Sequence, residues 1–244
     1  YRRARNLHAG AQHVVRHGGH FPRQLEAALQ VPGVGRYTAA AVLSIAYDMA
    51  LPVVDGNVRR VFSRLFALRG ARWRSDRSFY ALAEEWLDPQ SPADWNQALM
   101  ELGATVCTPQ NPDCAHCPVR GHCQARAQGA VERFPEKRPQ RRPVTVAVAA
   151  AVIERSGRVL LVRRREGKLL GRMWEVPQTG LDGRAAPDLA RELAERHGLR
   201  VALGASLGRV RHAITYRRIR VEAVSARLLS APPRDPARFR WVHH

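Results

Sequence analysis

The sequence predicts an all-helical unit, residues 1–125, a basic linker, residues 126–143, and an α+β unit, residues 144–244. Three observations carry this. Apolar residues recur at helical spacing through the first half, and no stretch there reads as a strand of any length. Residues 126–143, RAQGAVERFPEKRPQRRP, hold three prolines, six basic and two acidic residues, a composition that suits neither helix nor interior strand. Beyond them the pattern turns to β-branched runs with one or two helices, the signature of an α+β layer arrangement.

Taken in order, Ala4, Leu7, Ala11, Val14 and Val15 predict a buried helical stripe over 1–17, stopped by Gly18 and Gly19. A short helix follows over 22–29, with Leu25 and Leu29 expected to pack on Ala40 and Leu43 of the next one. Residues 31–57, VPGVGRYTAAAVLSIAYDMALPVVDGN, are the organising stretch. A tight Pro-Gly-Val-Gly hairpin opens an apolar helix that runs to about Tyr47, so the local pattern is helix–hairpin–helix. Val58, Val61, Phe62 and Leu65 predict a helix over 58–68, and two more are expected over 75–87 and 92–106, with Trp86, Trp95 and Leu99 in the core. In the second half, strands are expected over 144–152, 158–163, 218–224 and 238–242, with a helix over 188–197 closed by Gly198.

The net charge of +19 over 244 residues points to a polyanionic partner. Of this, +11 lies in residues 144–244 and +4 in each of the other two segments. Only Lys137 and Lys168 are lysines, an arginine bias that genomic base composition also explains. No stretch approaches the ~20 apolar residues of a membrane span, and no signal-peptide pattern is present.

Gly33, Val34 and Gly35 leave backbone N–H groups open at a helix N-terminus, a ready phosphate site. Asp55 follows twenty residues after Gly35, placing one carboxylate where a DNA backbone would be held. Asp-Gly-Asn before a helix is also ordinary capping chemistry. All four cysteines, Cys107, Cys114, Cys117 and Cys123, fall within seventeen residues as C-x6-C-x2-C-x5-C. Such clustering reads as metal ligation. Four thiolates can enclose a tetrahedral zinc or hold a [4Fe–4S] cube, and the spacing alone does not separate the two.

The hairpin, the aspartate and the cysteine loop together resemble the endonuclease III superfamily of DNA glycosylases. The resemblance covers residues 1–125 and implies a [4Fe–4S] cluster on loop 107–123. Two details are similar to its adenine glycosylase branch, the MutY type. Tyr37 stands where members that also cleave the backbone carry a Schiff-base lysine, so a monofunctional glycosylase is implied. The basic linker leads to a domain similar to the Nudix-like, 8-oxoguanine-recognising domain of that branch. Residues 191–199, RELAERHGL, are similar to the second half of a Nudix box, but Arg196 replaces a metal-binding glutamate and the first half is unmatched. The expectation is therefore a binder without hydrolase chemistry. Ile214, Thr215 and Tyr216 align with the family's 8-oxoguanine loop, usually Phe-Ser-His; as sequence alone they also read as an edge strand.

The resemblance implies removal of adenine opposite 8-oxoguanine or guanine in double-stranded DNA. Asp55 would face the developing sugar cation, with Tyr37 and Asn57 lining the site. The family's acid is a glutamate upstream of the region matched by Tyr1, so the expectation is an N-terminally truncated sequence, inactive or nearly so as it stands. A cytoplasmic, nucleoid-associated bacterial monomer is expected. The alternatives are an endonuclease III-like glycosylase for oxidised pyrimidines, a non-catalytic DNA-binding module, and, more remotely, a zinc-binding regulator.

Overall fold

The structure, a computed structural model, describes residues 1–136, 142–167, 169–179 and 188–243. It divides into two compact units, Tyr1–Arg138 and Pro139–His244.

The first unit is helical: α1 (Arg2–Arg16), α2 (Leu25–Leu29), α3 (Arg36–Tyr47), α4 (Gly56–Leu65), α5 (Asp76–Glu85), α6 (Pro92–Glu101) and the short α7 (Gln124–Ala127). The turn into α3 has Pro32 and Gly33 at its centre, with Val34 N–H donating to the Val31 carbonyl at 3.0 Å. Gly33 has φ +85°, a value that only glycine takes freely at this place in a turn. α3 ends with Asp48 in the left-handed region and Met49 N–H closing on the Leu43 carbonyl. Its apolar face meets α2 through Ala28, Ala39 and Leu43, flanked by Phe21, Leu25 and Tyr47. Ala28 is the buried α2 residue, whereas Leu29 is 40% exposed, so the expected Leu29 contact is replaced by an alanine contact.

A second cluster joins α4, α5 and α6 through Val58, Phe62, Phe79 and Ala83, with Leu99 packed against it. Trp95 is half-buried, and Trp86, expected inside, is 45% exposed and only tilts against the Phe66 ring. The α1 stripe is also not buried: Leu7 and Val15 are 76% and 74% exposed. α6 passes into a single π turn, Leu102–Val106, and the helical unit does not stop at residue 125. Ala125, Ala130 and Phe134 form a small core of their own, so part of the expected linker is structured.

The second unit is a sheet of β1 (Val144–Arg155), β2 (Arg158–Arg163), β3 (Trp174–Glu175), β4 (Val201–Ile214), β5 (Arg217–Leu228) and β6 (Phe239–His243), with α8 (Leu189–His197). The order is β3-β2-β1-β5-β4, with β6 on β2. β1 and β5 are parallel, and β4 and β5 form a long antiparallel hairpin with bulges between Leu203 and Gly208. α8 is capped by Asp188 at one end and by left-handed Gly198 at the other. Its Leu189 and Leu193 pack on Ala151, Ile153 and Leu160. β3 and β4 are the strands that the sequence pattern did not announce.

Candidate functional site

The hairpin and the aspartate are set by separate devices. At the hairpin, a side chain on Gly33 would fall 2.5 Å from Asn6 Cβ, while Gly35 faces open space. The first N–H groups of α3 therefore stay open beside Gly35, which caps the helix without a side chain. Arg36 stacks on Tyr80 at 3.8 Å and fixes the start of α3 over α5.

Asp55 is the N-cap of α4. Its Oδ1 accepts from Val58 N–H at 2.7 Å and its Oδ2 from Asn57 Nδ2 at 3.0 Å. Both oxygens are held, so the carboxylate has a fixed direction while remaining half-buried. The capping reading and the site reading are thus the same geometry. Upstream, Asn96 of α6 clamps the segment that delivers Asp55. Buried to 2% exposure, it accepts from Val53 N–H at 3.0 Å and donates to the Leu51 carbonyl at 2.9 Å and Ser44 Oγ at 3.0 Å. Tyr37 is 42% exposed, and its hydroxyl lies 3.9 Å from the Met100 sulfur. No hydrogen bond joins it to Asp55 among the described residues.

Two arginines one turn apart on α4 link this turn to the cysteine loop. Arg60 donates to Asn57 Oδ1 (2.8 Å), the Gly103 carbonyl (2.6 Å) and the Cys107 carbonyl (2.7 Å). Arg64, only 2% exposed, donates to the carbonyls of Thr108 (2.7 Å), Pro109 (3.2 Å) and Phe134 (3.0 Å), and to Cys107 Sγ (3.3 Å). A guanidinium this deeply buried needs its N–H groups satisfied, and here backbone carbonyls do most of this. Sequence reasoning passed over Arg60, Arg64 and Asn96. The one available signal was two arginines spaced i, i+4 on the apolar side of α4.

Cys107, Cys114, Cys117 and Cys123 line one cavity together with Arg64 and Arg120. Burial, reinforced by the neighbouring Cys107, Cys123 and Cys117, pushes the Cys114 thiol above its ordinary value. Among the described residues, no three Cys, His, Asp or Glu side chains converge tightly enough for a single ion. Four thiols around one cavity are the donor set of either a tetrahedral zinc or an iron–sulfur cube.

In the second unit, Ile214 ends β4, and Thr215 and Tyr216 form the two-residue turn into β5. Thr215 has φ +55°, and Arg217 lies 4.8 Å over the Tyr216 ring. The triplet is thus a hairpin tip and not an edge strand. On α8, Glu192 pairs with Arg196 at 2.7 Å and Glu195 with Arg191 at 3.4 Å. The remaining carboxylates of the box-like helix are engaged in ion pairs along its own surface.

A helical unit with an open hairpin, a fixed aspartate and a four-thiol loop, joined to an α+β unit, defines a class, the base-excision repair proteins of the helix-hairpin-helix superfamily. Residues 1–89 match the HhH-GPD superfamily of base excision DNA repair proteins. Residues 107–123 match the iron-sulfur binding domain of endonuclease III, and residues 148–244 a NUDIX domain. The chain is 37% identical over 295 residues to the adenine DNA glycosylase of Mus musculus, covering 99% of this chain and 57% of that one. It is 39% identical over 227 residues to the human adenine DNA glycosylase (72% and 41% covered), and 45% over 137 residues to that of Schizosaccharomyces pombe (54% and 30%). Within the superfamily the chain belongs to the MutY-type adenine DNA glycosylases, with a [4Fe–4S] cluster as cofactor. It spans about half or less of the length of these curated relatives. Among solved structures, a thermostable thymine-DNA glycosylase is similar at 32% identity and TM-score 0.46 (51% of this chain, 58% of that one). A MutT protein from Methanosarcina mazei is similar at 20% identity and 0.35 (43% and 80%). Among the described residues no helix is long and apolar enough to cross a membrane.

Proposed function

We propose that the chain works in base-excision repair as a monofunctional glycosylase that removes adenine mispaired with 8-oxoguanine or guanine in double-stranded DNA. The observation that carries this is Asp55, whose two oxygens are fixed by Val58 N–H and Asn57 Nδ2. A normal adenine must leave the base stack before its glycosidic bond is reached. As that bond breaks, positive charge grows on the sugar, and a carboxylate that need not reorient is worth about 3 kcal/mol there. Gly33 and Gly35, with the Val34 N–H between them given to the Val31 carbonyl, would hold a DNA phosphate on the open N–H groups at the start of α3. Tyr37 would line the pocket without supplying an amine, so release would proceed by hydrolysis and not through a Schiff base. The [4Fe–4S] cluster, when bound, would be held by Cys107, Cys114, Cys117 and Cys123 and would fix the fold of their loop. In the second unit, Ile214, Thr215 and Tyr216 at the hairpin tip would contact 8-oxoguanine. The working assignment is a glycosylase domain over 1–125 extended by the small core of Ala125, Ala130 and Phe134, the rest of 126–143 as linker, and a recognition domain over 144–244, in a cytoplasmic, nucleoid-associated monomer.

The test is single-turnover base release and equilibrium binding on duplexes carrying A opposite 8-oxoguanine, G or T, and on a duplex with an oxidised pyrimidine. Tighter binding to A:8-oxoguanine than to A:T is expected. Wherever adenine is released, Asp55→Asn should slow it by about 10²-fold or more. Release of the oxidised pyrimidine, or binding blind to the mispair, would overturn the assignment.

A further inference from the structure

We propose that one face of the β4–β5 hairpin, carrying Arg211, Arg218 and Arg220, is a phosphate rail that grips a nucleic-acid backbone without reading its bases. The strand register puts Arg211 directly opposite Arg220, with Arg218 opposite Ala213. Side chains alternate along a strand, so these three arginines share one face, at about 7 Å along a strand and about 5 Å across it. On β1 the same face continues as Thr145 and Ala147, the register partners of Arg218 and Arg220. These are small, exposed residues that form a low floor beside the guanidinium groups.

Two like charges facing each other across strands destabilise a sheet. Arg209 on the same face has Glu222 at 3.5 Å. Arg211, Arg218 and Arg220 are exposed and have no acidic partner among the described residues. α8 covers only the far half of this face, over Ala151, Ile153, Val224 and Ala226. Three unpaired guanidinium forks on an open, flat surface suit a row of phosphates, which they can engage bidentately. The rail ends at the turn that holds Thr215 and Tyr216, and the choice of nucleic acid as the polyanion rests on the DNA-repair reading above. The division of labour is then spatial: the tip touches the lesion and the strand face holds the backbone leading to it.

The experiment measures the salt dependence of binding of the whole chain to A:8-oxoguanine and fully paired duplexes. Wild type is compared with the triple variant R211Q/R218Q/R220Q and with Arg227→Gln, a single-charge control exposed on the opposite face of β5. Circular dichroism checks that each variant is folded. Without the three guanidinium groups to neutralise phosphates, the slope of log K against log salt should become shallower by about 2 to 3, equally on both duplexes, with the control unchanged. An unchanged slope overturns the rail. So does an equal effect per charge in the control, a loss confined to the 8-oxoguanine duplex, or tight salt-sensitive binding to anionic lipid vesicles that the triple variant alone loses. If wild type binds both duplexes equally while the slope still shifts, the rail stands and the mispair reading fails.

Discussion

Gly103 sits in the π turn that leads into the cysteine loop and packs against Asn57 of the candidate catalytic turn, and Gly103→Ala tests that the two are coupled by contact. A Cβ there would lie 2.6 Å from Asn57 Cβ, 3.0 Å from Asn57 Cα and 3.1 Å from its carbonyl carbon. Two of these three atoms are backbone, so a rotamer change cannot relieve the clash. Ordinary contact begins near 3.4 Å, and the segments must part by about 0.8 Å, an overpacking that costs about 1–3 kcal/mol. The same movement strains the Arg60 bond to the Gly103 carbonyl and pulls Asn57 from Asp55 Oδ2. A misplacement of about 1 Å in a catalytic group costs about 10²-fold in rate. Denaturant midpoints and single-turnover adenine release would be compared for wild type, Gly103→Ala and Gly121→Ala, whose added methyl meets nothing within 4 Å. Gly103→Ala should lose stability and slow release, and Gly121→Ala should change neither. A Gly103→Ala protein with a wild-type midpoint and rate would refute the reasoning, and the stability arm reports even where release is too slow to measure.

Arg64→Met should destabilise the first unit by about 1–3 kcal/mol, because the carbonyls of Thr108, Pro109 and Phe134 lose their shared donor; chemical denaturation and the iron content of the purified protein would show it. Asn96→Leu keeps the branched shape but strands the amide of Val53 and the carbonyl of Leu51, for an expected loss of about 2–3 kcal/mol, read by thermal unfolding. In the second unit, burial first, then Arg238, Arg196 and Arg165, pulls the His197 pKa from 6.5 down to about 4. The unfolded chain takes up this proton first, so stability is full above about pH 6.5 and declines as pH falls toward about 4. The total is about 3 kcal/mol. His197→Gln should flatten that part of the pH–stability curve, and an unchanged slope would refute the assignment.

The elements that were legible in sequence are those set by local chemistry. Pro32-Gly33 dictates its turn, Asp188 and Gly198 cap α8 from both ends, and the cysteine spacing marks its loop. Asp55 and Asn57 were legible as positions, but the residues that brace their turn and the cysteine loop from a distance were not. Arg60, Arg64 and Asn96 are polar residues at buried places, and a pattern built on apolar periodicity assigns such residues to solvent. Their partners are mostly backbone carbonyls and amides more than forty residues away, which no local window contains. β4 escaped for the opposite reason: it is exposed for most of its length, so neither alternation nor an apolar run marks it. Phe134 was read with its proline-rich surroundings, although one aromatic was enough to anchor residues 125–134 on α4 through Arg64 and Ala125.

The Asn96 clamp also sets a timescale. The Val53 amide, in the segment between α3 and α4, is bonded to a side chain on α6, and the residue sits at 1% exposure. Fraying of a helix end cannot free it. Its proton can trade with deuterated solvent only when α6 lifts away from the chain that delivers Asp55. The exchange rate of this single amide therefore reports how often α6 parts from the segment that leads into the candidate catalytic turn.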